Sequence, residues 1–289
     1  MPVGPYGALL DAVRGVRWPA RRPVPGGAPG AHAARTRGVA PEFAEYRPYR
    51  QGDDPKRLDW KLLARSDRAF IRLAPDQAIL GTTFVVDASA SMAFPLDTTG
   101  KWEQAKRLVV ALAAIAHTSA DPVGLMVARA DGAIRLETRT RRGVVGEIAR
   151  SLDSVRPAGT AALAPLIASS AARCVVVTDC LGDFDALRAA LARHVAKRGE
   201  ALVLHIVARA ELDPPAAAAL ATDPEDPLVR RPLVSATRDA YRARFGAFRS
   251  EVARALRADG VQVHEVMDDE PSDVLIRRIV RIPGADGSR

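Results

Sequence analysis

Long apolar runs are missing from this chain. The best of them, Leu108 to Ala116, falls far short of the roughly 20 residues that a membrane-spanning helix needs. The opening residues do not read as a signal peptide either, because Leu9-Leu10 is broken at once by Asp11 and Arg14. Cytoplasm is therefore the expected compartment. Cysteine is scarce as well: the two present, Cys174 and Cys180, bracket one extended segment. A strand advances about 3.3 Å per residue, so they stand farther apart than the about 7 Å between Cα atoms that a disulfide allows. Both are expected as reduced thiols, Cys174 as a small core residue. A phosphate-cradling glycine-rich loop and a Gly-x-Ser-x-Gly elbow are also lacking.

What is present suits a globular core. Apolar residues make up 48% of the 289 positions, enough for one large domain or a domain with an appendage. The formal charge is +8 and is carried mostly by arginine. Much of it lies in the first fifty residues, where Arg14, Arg17, Arg21, Arg22, Arg35, Arg37, Arg47 and Arg50 outnumber Asp11, Glu42 and Glu45. Such an arm could meet nucleic acid or acidic partners. No recognised binding motif or aromatic-interleaved basic stripe accompanies it, so a solvated tail is the simpler reading.

Chemistry concentrates at Thr82-Thr83-Phe84-Val85-Val86-Asp87-Ala88-Ser89-Ala90-Ser91-Met92. An apolar β-branched run ending in a carboxylate reads as a buried parallel strand, and ligands of open α/β sheets gather beyond the carboxyl ends of strands. Asp87, Ser89 and Ser91 would then place three hard oxygen groups on one loop, which suits Mg²⁺ or Mn²⁺. The alternative is that Asp87 or Ser89 merely caps the turn leaving the strand. Two later segments add weight. Arg156-Pro157-Ala158-Gly159-Thr160 is a loop ending in a hydroxyl, and Cys174-Val175-Val176-Val177-Thr178-Asp179 is a second buried strand ending in a carboxylate. If the two strands are neighbours, Asp87 and Asp179 meet across one rim.

The rest of the chain alternates. A helix is expected from Trp102 to Ala116, a strand over Val123–Ala128, and a hairpin at Asp131-Gly132 into Ala133–Glu137. Helices follow over Gly143–Leu152 and from about Ala161, where Pro165 demands a late start. Asp185–Lys197 is a helix and Ala201–Val207 a third buried strand. Asp213–Pro227 is an exposed excursion, Leu228–Val234 an extended piece, Thr237–Ala258 a long helix, Val261–Val266 the last strand and Pro271–Val280 the last helix. This alternation predicts an α/β fold with a doubly wound, mostly parallel sheet and one antiparallel edge strand. Ahead of it, Gly52-Asp53-Asp54-Pro55 predicts a turn into a short helix with Asp54 as N-cap, burying Leu58 and Leu62 with room for Trp60. Asp53, Asp54 and Asp59 are expected to partner neighbouring arginines. His117, His194, His205 and His264 fall in helix or strand patterns where packing accounts for them.

Asp87-x-Ser89-x-Ser91, then Thr160, then Asp179, resembles the metal-ion-dependent adhesion site of von Willebrand factor A domains, with all five positions filled. The run Glu42-Phe43 … Tyr46-Arg47 … Gly52-Asp53-Asp54 … Arg57-Leu58-Asp59-Trp60 … Ala64-Arg65, followed by Asp87–Met92, resembles domain-of-unknown-function family 58. The Pro-, Gly- and Arg-rich composition predicts a basic arm over 1–37, partly flexible, and the resemblance implies a lead-in subdomain over 38–76 and a von Willebrand factor A-like domain over 77–283. It further implies a metal site whose hydroxyls ligate directly and whose aspartates often act through water. Such an ion stays electrophilic and can accept a partner's Asp or Glu, and MoxR-type AAA+ ATPases are the associated partners. The expected function is thus a non-enzymatic, metal-dependent adaptor. A Mg²⁺-dependent phosphohydrolase or phosphotransferase with Asp87 as nucleophile is the alternative, although the second acid such a site wants two residues on is replaced by Ser89. Nucleic-acid binding through the arginine-rich arm is the second alternative.

Overall fold

The computed structural model describes residues 4–21, 29–33, 45–49, 58–66, 68–73, 77–214, 220–225, 228–232 and 235–281. The chain forms two units, one of Met1–Trp18 with Gly81–Arg289 and the other of Pro19–Leu80. In chain order the first elements are α1 (Gly7–Ala12), β1 (Pro29–Ala33), β2 (Glu45–Pro48), α2 (Trp60–Ser66), β3 (Phe70–Leu73) and β4 (Gln77–Ala78). Then come β5 (Thr82–Asp87), α3 (Gly100–Thr118), β6 (Val123–Arg129), β7 (Gly132–Arg139), α4 (Val144–Asp153), α5 (Ala164–Ile167) and β8 (Arg173–Thr178). The chain continues through α6 (Phe184–Ala196), β9 (Glu200–Val207), α7 (Arg209–Leu212), β10 (Leu220–Thr222) and β11 (Arg230–Pro232). It closes with α8 (Ser235–Ala258), β12 (Gln262–Met267) and α9 (Ser272–Val280).

In the smaller unit β1 pairs antiparallel with β4, and β2 with β3. Helix α2 is capped by Asp59, whose carboxylate accepts from the Leu62 N–H at 3.0 Å. The Gly52–Pro55 turn and its Asp54 cap lie outside the described residues. Leu58 and Leu62 are half-buried, as expected, but Trp60 is 64% exposed. Trp60 and Leu62 stand about 200° apart round the helix, so the two cannot share its inner face.

The larger unit is built on a six-stranded sheet ordered β12-β9-β8-β5-β6-β7. All of its neighbouring pairs are parallel except β6–β7. This is the doubly wound, mostly parallel arrangement expected, with the antiparallel strand β7 at one edge. The hairpin into β7 turns at Asp131-Gly132, where Gly132 has φ +122°, a conformation a side chain would resist. Strands β5 and β8 are buried along their whole length, which is why both read as continuous apolar runs rather than alternations. Successive residues still face opposite layers. Phe84 and Val86 pack with α3, α4 and α9, whereas Val85 packs with α5, α6 and α8. Pro165 falls in the first turn of α5, so that helix does start late.

The opening segment differs from the arm expected over residues 1–37. Tyr6, Val13 and Trp18 are buried in the α3 layer of the core. The Tyr6 hydroxyl donates to Asp153 at 2.6 Å, and the Trp18 ring lies 4.3 Å from the guanidinium carbon of Arg173. Arg173 is itself buried and pairs with Glu200 at 3.0 Å. A large aromatic that covers a buried cation draws the segment in despite its charged surroundings. Residues 22–28 and 34–44, which hold Arg22, Arg35 and Arg37, lie outside the described residues. Among the described residues no helix is long and apolar enough to cross a membrane.

Candidate metal centre

Strand β5 delivers Asp87 to the carboxyl rim of the sheet, beside β8. There the register sets Val86 against Val177, one residue short of each strand's end. The Asp87 side chain is held at both oxygens: Oδ1 accepts from the Ser89 N–H at 2.9 Å and Oδ2 from the Thr178 hydroxyl at 2.7 Å. The first is the self-closing turn that Asp favours when it leaves a strand. Ser89 is extended, at φ −66° and ψ 162°, and leads into a 3₁₀ turn over Ala90–Ala93. That geometry folds the loop so that the Ser89 and Ser91 hydroxyl oxygens lie 3.1 Å apart.

The 156–160 loop is stitched to the same loop. Ala158 N–H donates to Ala88 O at 3.0 Å, and Ala90 N–H to Gly159 O at 2.8 Å. Gly159 is required at this point: its φ is +58°, and a Cβ there would lie 2.8 Å from that of Ala130. Thr160 is thereby brought next to the serines in the backbone, while the residue itself is exposed. Asp179 follows β8 directly. Its Oδ1 accepts from the Leu181 N–H at 3.2 Å and its Oδ2 from Lys101 Nζ at 2.7 Å. On the α6 side of Asp87 a cavity of about 260 Å³ is walled by Ala161, Leu163, Pro165, Phe184 and Leu187, with Thr178 beside the carboxylate.

The donor set can be weighed against a small dication. Octahedral Mg²⁺ with oxygens at 2.0–2.1 Å sets neighbouring ligands about 2.9 Å apart, and the two serine oxygens nearly meet that spacing. Burial raises the Asp87 pKa, and the nearby Asp179 raises it further, so a cation beside Asp87 would favour its ionised form. Among the described residues no three His, Cys, Asp or Glu side chains converge as a metal-binding group. An ion here would therefore depend on hydroxyls. Asp87, Ser89 and Ser91 fit one directly. Asp179, already paired with Lys101, fits a supporting place, and Thr160 follows the Gly159 carbonyl that accepts from the Ala90 N–H.

Residues 45–254 match the family described as "Protein of unknown function DUF58". The chain belongs to this family. Uncharacterized protein Rv1480 of Mycobacterium tuberculosis is 26% identical over 282 residues, which span 90% of this chain and 85% of that protein. Among solved structures, the conserved hypothetical protein BatB from Bacteroides thetaiotaomicron is 16% identical. It covers 69% of this chain and 96% of its own, with a TM-score of 0.46. The SpRpn10 VWA domain is 14% identical and covers 68% of this chain and 94% of its own, with a TM-score of 0.40.

In this DUF58 chain further charged residues stand near the expected five. Lys101, in the first turn of α3, is fully buried and reaches both Asp179 and Glu211, each at 2.7 Å. Burial opposes its charge, but the two carboxylates outweigh that and raise its pKa. Burial also raises the Glu211 pKa, and Lys101 pulls against the rise. Glu225, between β10 and β11, has its pKa raised by burial and then by the charges of Asp179 and Asp87. Lys101 had a legible signal: it shares the stripe of Ala105, Leu108 and Leu112 on α3, and a charge on an apolar stripe requires a buried partner. Glu225 had none, because its surroundings carry no periodic pattern. His205 is buried and touches Asp179 only through the backbone carbonyl, at 3.1 Å. Its ring packs edge-on against Phe248, in keeping with a packing role.

Proposed function

We propose that this DUF58 protein is a metal-dependent protein-interaction module. Asp87, Ser89 and Ser91 would hold Mg²⁺ or Mn²⁺, with Asp179 behind them and Thr160 within reach from its loop, and the ion would accept an Asp or Glu of a partner. The observation that carries this reading is the hydroxyl pair 3.1 Å apart beside a buried, doubly anchored carboxylate. Few direct anions would leave the ion electrophilic enough to favour one more carboxylate.

The surroundings support docking over catalysis. Both Asp87 oxygens are engaged, which suits a fixed anion better than a nucleophile. Leu181, on the loop that follows Asp179, is an exposed apolar side chain beside the centre, which a docked partner would cover. The partner proposed is a MoxR-type AAA+ ATPase, following the association that the family resemblance implies.

The test is capture of a purified MoxR-type ATPase by the intact protein, with Mg²⁺ or with chelator, together with calorimetric titration of Mg²⁺. Asp87→Ala should abolish the heat of Mg²⁺ binding, and both the variant and the chelator should release the ATPase. Capture that persists unchanged in chelator and in Asp87→Ala would overturn the proposal.

A further inference from the structure

Lys101 is a buried cation at the carboxyl rim, and several segments fix its place. Its N–H donates to Phe94 O at 3.2 Å, just past the serine loop, and its Nζ lies 5.8 Å from the Phe94 ring centre. Gly100 before it packs so tightly that a Cβ there would lie 2.6 Å from an Asp268 carboxylate oxygen. Nζ donates to Asp179 Oδ2 and to Glu211 Oε1, each at 2.7 Å. Glu211 is anchored in turn, because its Oε2 accepts from the Ala208 N–H at 2.7 Å. Both Asp179 oxygens are thus engaged, Oδ1 by the Leu181 N–H at 3.2 Å and Oδ2 by the ammonium. Asp87 instead meets neutral donors, the Ser89 N–H and the Thr178 hydroxyl. One rim carboxylate is therefore matched with a resident cation, and the other is set among uncharged groups.

We propose that Lys101 is a positioning residue that holds Asp179 back from the metal and so limits how tightly the centre binds it. The inference rests on the metal-centre reading above. An ammonium shares its charge with each carboxylate it donates to, which leaves Asp179 a poorer ligand. It also repels an incoming dication. Because the whole Lys101 side chain is buried, it cannot swing out to water and yield its place. The centre is thereby left to Asp87 and the two serine hydroxyls, a set with one direct anion. Without the ammonium, Asp179 is free to turn an oxygen to the ion and take the place of a bound water.

Mn²⁺ alone is the probe, with the intact protein, Lys101→Met, Glu211→Gln and Asp87→Ala compared by electron paramagnetic resonance and water-proton relaxation. Lys101→Met should bind Mn²⁺ about 10- to 100-fold more tightly, the size of effect that neighbours of metal ligands exert. Once saturated, it should carry one exchangeable water fewer than wild type. A purely structural lysine predicts the reverse, since a loosened rim binds metal no better. Glu211→Gln leaves the ammonium to Asp179 alone, so it should bind Mn²⁺ more weakly than wild type with unchanged hydration. Affinity in Lys101→Met no higher than in wild type would overturn the role of Lys101, even with Asp87→Ala failing to bind. Should Lys101→Met not fold, Glu211→Gln decides: affinity equal to or above wild type would overturn it. Wild-type Mn²⁺ binding by Asp87→Ala would overturn the metal centre itself and this inference with it.

Discussion

Replacing Lys101 by methionine keeps the length of the side chain and deletes its charge. The lysine is fully buried, with Asp179 and Glu211 each 2.7 Å from Nζ and side-chain exposures of only 2% and 12%. Removing one member of a buried ion pair costs about 3–5 kcal/mol, because the remaining charge stays desolvated without a partner. Methionine fills nearly the same volume, so packing adds little. For a domain of this size the loss corresponds to roughly 6–20 °C in Tm. The cost should also depend on pH. Burial already holds the Glu211 pKa above its ordinary value, and without Lys101 it would rise further. A carboxyl whose folded pKa exceeds its unfolded value loses folded stability as pH rises through that interval. Lys101→Met should therefore be most damaging at pH 8 and recover part of the loss near pH 5, where Glu211 takes up a proton. Adding Glu211→Gln should restore part of the stability at pH 8 by removing one orphaned charge. Urea unfolding followed by circular dichroism in chelator reads all three proteins. A Lys101→Met variant within about 1 kcal/mol of wild type at pH 8 would refute the buried network.

Two further outcomes follow from packing. Trp18→Ala, which uncovers Arg173 and empties a buried site, should cost about 3–5 kcal/mol as a shift in urea midpoint; a shift under about 1 kcal/mol would mean that the opening segment contributes nothing to the core. Burial pushes the Cys174 thiol up to about 12 and raises Cys180 well above the ordinary range. At pH 8 the native protein should thus react with a disulfide reagent orders of magnitude more slowly than the urea-unfolded protein, and prompt labelling of the native chain would contradict the burial of both.

Legibility followed the range over which each signal acts. The Asp87–Ser91 turn is decided within five residues, so its hydroxyl pair could be anticipated from spacing alone. The nearness of Asp87 and Asp179 needed one added premise, that two fully apolar strands lie side by side, and the β5–β8 register meets it. Thr160 shows the limit of order along the chain: only the backbone bonds between its loop and the serine loop bring it there, and spacing does not reveal them. Trp18 was lost among prolines and arginines because its reason to be buried, Arg173, is 155 residues away.

Periodicity and local turn chemistry by themselves determined the alternating α/β architecture, the two rim carboxylates and the serine loop, because each depends on residues within a few positions of one another. Only the tertiary structure decided which charges face that rim. Lys101 and Glu211 come from two distant segments, and the energy of a buried charge is set by neighbours in space, on which the order of residues along the chain is silent.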